Sequence, residues 1–188
     1  RGCLFNCSFC INEVFNRMYR GKGKRLRQKS VDMILKELRS AREIQPGAGT
    51  IFFADDLFLS DKKFYAEFAP RFKAEINLPY LINGFPFYID DNVARLMKES
   101  GCDTFAVGTE TGNEEKRFNI FKKRIKNEEF IRMAKILKKY GIQIYTSSIF
   151  VYPGETFEDA LSTVELQHQM GTDHPFSSYL IPYPNTEI

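Results

Sequence analysis

Hydrophobic positions with helical spacing and short apolar runs alternate along the whole chain. Five segments carry apolar side chains every three or four residues and are predicted helices, at residues 30–44, 61–76, 90–100, 127–141 and 156–169. Each is followed by a short apolar run that predicts a buried strand, at residues 50–54, 80–83, 104–108, 142–151 and 176–181. Strict alternation favours parallel strands joined by right-handed helical crossovers. The pattern therefore predicts one α/β domain.

The residues at the segment boundaries are typical helix signals. Ser30 and Asn127 are predicted N-caps, because their side-chain oxygens can accept a hydrogen bond from the first helical turn. Thr156 and Asp159 have the spacing of a capping box at the start of the last helix. Pro70 lies inside the second predicted helix and is expected to end or kink it.

Polar side chains gather where the predicted strands end. Asp55, Asp56, Asn83, Glu110 and Glu155 all lie at or just after a strand. In parallel α/β barrels, the carboxyl ends of the strands carry the chemistry. We therefore expect the functional site at this edge of the sheet.

Composition and charge limit the classes of function. Of the 188 residues, 27% are charged and 43% are hydrophobic, and the formal net charge is +3, as is usual for a globular protein. Two basic segments, residues 20–29 and 116–126, are interpreted as solvated surface, because so small a net charge does not favour a nucleic-acid partner. The sequence predicts neither a membrane span nor a secretory signal. Clustered cysteines favour metal ligation in a reducing cytoplasm.

The opening residues hold the most specific motif. Cys3, Cys7 and Cys10 form a C-x3-C-x2-C pattern. Three thiolates on one short loop can bind three corners of an iron–sulfur cube, which usually takes four cysteines. The fourth iron then keeps an open coordination position, as catalytic metals do. An open iron can chelate the amino and carboxylate groups of a small molecule.

Other cysteine chemistry remains open from this pattern alone. A structural zinc site needs a fourth ligand, and the two histidines, His168 and His174, are distant in sequence. Three close cysteines do not pair evenly into disulfides, and their spacing differs from that of bacterial ferredoxins. Cys102 follows a predicted helix end and is expected to be a buried apolar residue. We favour a three-cysteine cluster, with a non-catalytic zinc- or iron-binding structural module as the alternative of another class.

Several segments resemble one enzyme family. The cysteine motif, with the aromatic Phe9 before its last cysteine, resembles the signature of the radical S-adenosylmethionine (SAM) superfamily. Later segments resemble the branch that carries cobalamin-binding domains, and they follow in order along the chain: residues 25–30 with Glu37, 107–114, 152–156 and 182–187. The resemblance covers essentially all 188 residues.

The resemblance implies a fold and a reaction. The fold would be a partial (β/α)6 TIM-like barrel, with residues 1–188 as the catalytic core and with a first strand and a cobalamin-binding domain upstream of Arg1. Cys3, Cys7 and Cys10 would hold a [4Fe–4S] cluster whose fourth iron binds SAM. Reduction would cleave SAM to methionine and a 5′-deoxyadenosyl radical, for cobalamin-dependent methylation or a related radical transformation. A radical SAM enzyme that modifies RNA or protein is the alternative within the family.

The resemblance also implies contacts to SAM. Phe9 would lie against the adenine, and Glu110 would accept hydrogen bonds from the ribose hydroxyls. Asp55 stands where many relatives have a Gly-Gly-Glu motif that contacts the SAM amino group, and Asn83 stands where some have an arginine for the carboxylate. On the following predicted strand, Ser148 is the expected polar contact, because side-chain alternation lets only one of two adjacent serines face the interior.

The same resemblance implies partners. The substrate would be a small molecule, and a reductant such as flavodoxin or ferredoxin would supply the electron. Neither a membrane nor a nucleic acid is an expected partner.

Overall fold

The computed structural model describes residues 2–188, so that Arg1 and the strand expected upstream of it lie outside the described residues. At its centre is a parallel sheet whose spatial order follows the sequence: β1 (Ile51–Phe53), β2 (Tyr80–Asn83), β3 (Cys102–Glu110), β4 (Gln143–Phe150) and β5 (His174–Tyr179). Each strand lies beside its predecessor, as in the singly wound sheets of α/β barrels. The prediction of an α/β fold with parallel strands is confirmed.

Helices flank this sheet. They are α1 (Ile11–Met18), α2 (Val31–Ile44), α3 (Lys62–Glu75), α4 (Asp91–Ser100), α5 (Glu114–Asn119), α6 (Asn127–Lys139) and α7 (Phe157–Met170), with a 3-10 turn at Pro86–Tyr88. The sequence pattern predicted α2, α3, α4, α6 and α7. It missed α1 and α5, which have only eight and six residues and are too short to show helical periodicity. Within residues 2–188, no helix has both the length and the apolar character needed to cross a membrane.

Two of the three predicted N-terminal signals act as expected. Ser30 Oγ accepts a backbone N–H of the first turn of α2 at 3.3 Å. Thr156 and Asp159 form a capping box, in which each side chain accepts the backbone N–H of the other at 3.2 and 2.9 Å. The prediction for Asn127 is wrong: Lys126 is the N-cap, and Asn127 is the first residue of α6. The side chain of Asn127 has other partners, described below.

Pro70 lies inside α3, and the helix continues beyond it to Glu75. Pro70 is exposed, so the helical carbonyl that loses its N–H partner lies on the solvent side and can bond water instead. The expectation that Pro70 would end or kink the helix is therefore wrong in its first alternative, because the helix does not end there.

The hydrophobic core lies between the sheet and the helices. Tyr80 and Phe105 point into it from β2 and β3, and the hydroxyl of Tyr80 lies 2.6 Å from those of Tyr65 in α3 and Ser100 in α4. Because strand side chains alternate, the residues between the core positions point to the opposite face, which is the barrel interior. The interior residues lie beside one another on adjacent strands. They are Phe52, Leu81, Asn83, Ala106, Gly108, Tyr145 and Ser147.

Candidate active site

The three motif cysteines share one loop that α1 holds in place. Cys3 and Cys7 are buried, Cys10 is partly exposed, and all three are free thiols. The N–H of Cys10 donates to the carbonyl of Cys7 at 3.1 Å, and α1 begins directly after Cys10. From α1, Asn16 Nδ2 donates to the carbonyl oxygens of Cys3 at 3.0 Å and Phe5 at 3.3 Å. These bonds fix the loop backbone against the helix.

The cysteine loop docks on segments that follow the carboxyl ends of β2 and β3. The N–H of Ser8 donates to the carbonyl of Phe121 at 3.1 Å. The ring of Phe5 stacks on that of Phe85 with centroids 4.3 Å apart, and Phe9 meets Phe121 edge-on at 5.5 Å. The loop therefore lies at the edge of the sheet where the sequence predicted the site.

Burial and neighbouring charges shift the pKa values of the Cys3 and Cys7 thiols. Desolvation raises the pKa of Cys3 and raises that of Cys7 to about 12, while the positive charge of Lys123 opposes both shifts. The charges of Cys3 and Cys10 also raise the pKa of Cys7, so the three sulfurs lie within electrostatic range of one another. In the cluster-free protein Cys7 is protonated at neutral pH, and metal binding must displace its proton.

This donor set fits an iron–sulfur cube better than a single metal ion. Among residues 2–188, no three His, Cys, Asp or Glu side chains form a group that could hold one ion. The cysteines of a cube each bind a different iron, so they need not converge on one point. Three free thiols on one short loop match that requirement, whereas a zinc site would need convergent ligands.

Cys102 lies at the opposite edge of the sheet. It begins the nine residues of β3 that Glu110 ends, a span of roughly 26 Å along the strand. It is buried in the core, which confirms the prediction that it is a small apolar residue. His174 begins β5 at the same amino edge, and His168 lies near the end of α7. None of these three residues is placed to complete the site.

Glu110 ends β3 in a left-handed backbone conformation, with a φ of 59°. The register between β3 and β4 shifts between Gly108 and Glu110, which indicates a β-bulge. Residues other than glycine seldom adopt this conformation, and such strain is concentrated at functional sites. The Glu110 side chain is buried, with Oε1 2.8 Å from the Nζ of Lys123.

Lys123 is the site residue that the sequence did not reveal. Its Nζ donates to the carbonyl of Gly108 at 2.7 Å and to Glu110 Oε1 at 2.8 Å, and lies 4.8 Å from the ring centre of Phe85. Only 6% of the residue is exposed. The interpretation of residues 116–126 as solvated surface is therefore wrong for this residue.

Arg117 is a second buried cation in the same segment. Its Nε donates to the carbonyl of Thr109 at 2.9 Å and its Nη1 to that of Ile125 at 2.8 Å. Its Nη2 donates to the carbonyl of Thr111 and, at 2.7 Å, to Asn127 Oδ1, which explains why Asn127 does not cap α6. Burial lowers the pKa of Arg117 to about 10, so it stays charged at neutral pH. These bonds fix the strand end that carries the buried glutamate.

The first two strand ends bring Asp55 and Asn83 together. Asn83 faces the barrel interior, and its Nδ2 donates to the carbonyl of Asp55 at 3.5 Å. Besides burial, the negative charge of Asp56 raises the pKa of Cys3, so this acidic turn lies near the cysteine loop. Asp55 also lines a cavity of about 520 Å³ between β1 and residues 26–29. The residues expected to contact the amino and carboxylate groups of SAM thus lie next to the expected cluster ligands.

Ser148 points away from the barrel interior. Its hydroxyl lies 2.7 Å from Thr109 Oγ1 and accepts from Gln167 Nε2 of α7 at 2.9 Å. The residue is completely buried between the sheet and α7. This position contradicts the expected contact with SAM. By alternation, its neighbour Ser147 faces the interior, in register with Gly108.

Glu155 closes a tight turn after β4. Its carboxylate accepts the N–H of Val151, and its own N–H donates to the carbonyl of Tyr152 at 3.0 Å. Val151 has a φ of 59°, which is rare for a β-branched residue. The carboxyl ends of β3 and β4 therefore both carry a strained residue on the predicted active face.

Residues 1–166 of the chain match the Radical SAM superfamily. The chain belongs to this superfamily. An uncharacterized methyltransferase of Pyrococcus horikoshii is 30% identical to this radical SAM chain over 189 residues, which is 100% of the chain and 39% of that protein. A bacteriochlorophyllide d C-12(1)-methyltransferase of Chlorobaculum tepidum is 27% identical, over 99% of the chain and 40% of that enzyme. The chain thus spans less than half of these relatives.

A solved structure with the same architecture is that of the radical SAM methyltransferase TsrM from Kitasatospora setae, with cobalamin and a [4Fe–4S] cluster bound. The superposition has a TM-score of 0.80 at 22% identity and covers 99% of this chain and 36% of that one. At this identity the similarity concerns the fold alone. It confirms the predicted TIM-like arrangement of helices around parallel strands.

The sequence of this radical SAM chain contains one weak signal that Lys123 is buried. Phe121, Lys123 and Ile125 are buried, whereas Lys122 and Arg124 between them are exposed. Lys123 therefore occupies an apolar position in a pattern of period two. A lysine at such a position in a basic segment is the signal that distinguishes it from its exposed neighbours.

Proposed function

We propose that this chain is the core of a radical SAM enzyme that methylates a small molecule in a cobalamin-dependent reaction. The observation that carries this proposal is three free thiols on one loop, docked at the strand end that presents a buried glutamate. Cys3, Cys7 and Cys10 would each bind one iron of a [4Fe–4S] cluster and leave the fourth iron to the amino and carboxylate groups of SAM. When bound, the reduced cluster supplies the electron that cleaves the carbon–sulfur bond of SAM.

The surrounding side chains would position SAM. Glu110 would accept hydrogen bonds from the ribose hydroxyls, because an ionised carboxylate is a strong acceptor. Phe9 would lie against the adenine. Asp55 would pair with the amino group of SAM, and the amide of Asn83 can donate to its carboxylate. Ser147, which faces the interior, takes the role first expected of its neighbour.

Methylation with cobalamin is supported by the relatives. Two of them are named methyltransferases, and TsrM was solved with cobalamin bound. Because the chain spans 39% and 36% of the lengths of two of these proteins, a cobalamin-binding domain would belong to the rest of the protein. A flavodoxin- or ferredoxin-type protein would provide the electron.

The test uses the full-length protein, reconstituted with iron and sulfide without oxygen. We expect about four irons and four sulfides per chain, a brown colour, and formation of 5′-deoxyadenosine from SAM and a reductant. With cobalamin and substrate, S-adenosylhomocysteine should accumulate as the methyl donor is consumed. Cys7→Ala should abolish cluster binding, whereas the matched variant Cys102→Ala should retain it.

Two results would overturn the proposal at different levels. A colourless protein with one tightly bound zinc would show that the cysteines form a structural site. A cluster that cleaves SAM but yields no S-adenosylhomocysteine with cobalamin would remove methylation and leave the radical SAM assignment intact.

A further inference from the structure

We propose that Lys123 is a positioning residue that holds the Glu110 carboxylate in place to bind SAM. This inference rests on the proposed function, since it assigns a role at the same site. Lys123 acts through Glu110 and makes no contact with SAM itself.

The ammonium group of Lys123 is held by three partners. It donates to the carbonyl of Gly108 at 2.7 Å and to Glu110 Oε1 at 2.8 Å, and it lies 4.8 Å from the ring centre of Phe85. An aromatic face attracts a cation. The bond to Gly108 and the ring of Phe85 fix the ammonium independently of the carboxylate. Glu110 therefore meets a cation whose position is already set.

Burial makes this ion pair different from those at the surface. The side chains of Lys123 and Glu110 are 7% and 6% exposed, whereas those of the surface pair Lys62–Asp90 are 55% and 46% exposed. Exposed pairs contribute little, but removing one partner of a buried pair leaves an uncompensated charge in a poorly solvated place. Without Lys123, the buried carboxylate would lose its charged partner and would be expected to turn toward water.

The nearby cysteines increase the need for a cation. The charge of Glu110 acts on Cys7, and the charge of Lys123 acts on Cys7 and Cys3 with the opposite sign. These thiols become thiolates when a cluster binds, and their negative charges then repel the nearby carboxylate of Glu110. Arg117 also interacts with the charge of Glu110, but its N–H groups bond to other acceptors. Lys123 is thus the cation that bonds directly to the carboxylate.

The pair lies on the side of β3 that faces the barrel interior. A Cβ added at Gly108 would lie 2.2 Å from Glu110 Oε1 and 3.0 Å from Lys123 Nζ. Gly108 is an interior position of β3, so the space left by its missing side chain is where the two charges meet. The carboxylate is therefore held at the face on which SAM would bind.

The experiment is a double-mutant cycle in the full-length, cluster-loaded protein. The variants are Lys123→Met, Glu110→Gln and the two combined, with SAM affinity measured by calorimetry and cluster content by iron analysis. We expect each single variant to weaken SAM binding about tenfold, and the double variant to bind no more weakly than Glu110→Gln alone. Lys123→Arg keeps the positive charge and should bind SAM more tightly than Lys123→Met. The exposed neighbour provides the control, since Lys122→Met should leave the affinity unchanged.

The outcomes separate this inference from the proposed function. Additive losses in the double variant, or normal SAM affinity in Lys123→Met, would overturn the role assigned to Lys123 while the radical SAM proposal stands. A wild-type protein that binds neither cluster nor SAM would overturn both. If Lys123→Met loads no cluster, the double variant decides between two explanations. A cluster that returns when Glu110→Gln is added supports charge compensation between the two residues. A cluster that is absent from the single and the double variant overturns it.

Discussion

The two basic segments of the chain have similar compositions, but only the second contains buried cations. Residues 20–29 hold six lysines and arginines, all of them exposed on the connection between α1 and α2. Residues 116–126 also hold six, but Arg117 and Lys123 among them are buried under the carboxyl edge of the sheet. Composition alone does not separate the two segments.

The difference lies in the buried acceptors that only the second segment meets. A cation leaves water only where acceptors replace its hydration. Arg117 finds backbone carbonyls, and Lys123 finds a carboxylate, a carbonyl and an aromatic ring, all at or beside the end of β3. A buried cation therefore indicates a set of acceptors arranged around it, whereas a basic segment by itself does not.

The largest effect in this comparison is expected at Arg117. Arg117→Met should lower the free energy of unfolding by about 3–4 kcal/mol, because it leaves the carbonyls of Thr109 and Ile125 buried without donors. The matched variant Arg124→Met, at an exposed position of the same segment, should stay within about 0.5 kcal/mol of wild type. Urea unfolding of both variants measures this difference. Equal losses would show that burial of Arg117 has no special role.

A smaller effect is expected at the glycine that makes room for the buried ion pair. Gly108→Ala would place a Cβ 2.2 Å from Glu110 Oε1 and should cost about 2–3 kcal/mol of unfolding free energy. The control is Gly47→Ala, where an added Cβ meets nothing within 4 Å. Thermal unfolding should show a lower Tm for Gly108→Ala alone. An unchanged Tm would mean that the pair can move aside without cost.

The charge of Lys123 should be measurable at Cys7 in the cluster-free protein. Burial raises the pKa of Cys7 to about 12 and Lys123 opposes that shift, so Lys123→Met should slow alkylation of Cys7 by about threefold. Because the folded pKa lies well above neutral pH, the alkylation rate should rise with pH between about 8 and 11 in both proteins. Mass spectrometry after iodoacetamide treatment reports each cysteine separately. Lys24→Met, in the exposed segment, should have no effect.

The smallest effect is expected in the exposed segment itself. Replacing Lys22 and Lys24 together by glutamine should change the free energy of unfolding by less than about 0.5 kcal/mol, because both side chains are solvated. Denaturant unfolding tests this. A loss of more than about 1 kcal/mol would mean that these two lysine side chains also make stabilising contacts.

The sequence predicted the sheet and most helices because each of these elements buries one face. That burial produces a period in the apolar positions, which gave all five strands and the helices α2, α3, α4, α6 and α7. The same reasoning placed Glu110 and Asn83 at strand ends, and the cysteine spacing located the loop at residues 3–10. Local chemistry was therefore sufficient for these parts of the molecule.

The sequence did not predict features that depend on contacts between distant parts of the chain or on very short elements. Alternation required one of two adjacent serines to face inward, but only the bonds of Ser148 to Thr109 and Gln167 reveal that it faces outward. Lys123 was hidden because its partners are 13 and 15 residues away in sequence. Helix α5, with six residues, is too short to have a detectable period.

The loop that carries the three thiols binds residues that lie far after it in the sequence. Ser8 bonds to Ile120, 112 residues later, and its carbonyl accepts the N–H of Glu187. The sheet can grow unit by unit as the chain leaves the ribosome, since each strand docks on its predecessor. The loop with the three thiols can dock only after Phe85, Ile120 and Phe121 have emerged, and its bond to Glu187 forms later still. Iron loading is therefore expected to be post-translational, and a nascent or truncated chain would present these thiols to oxidants.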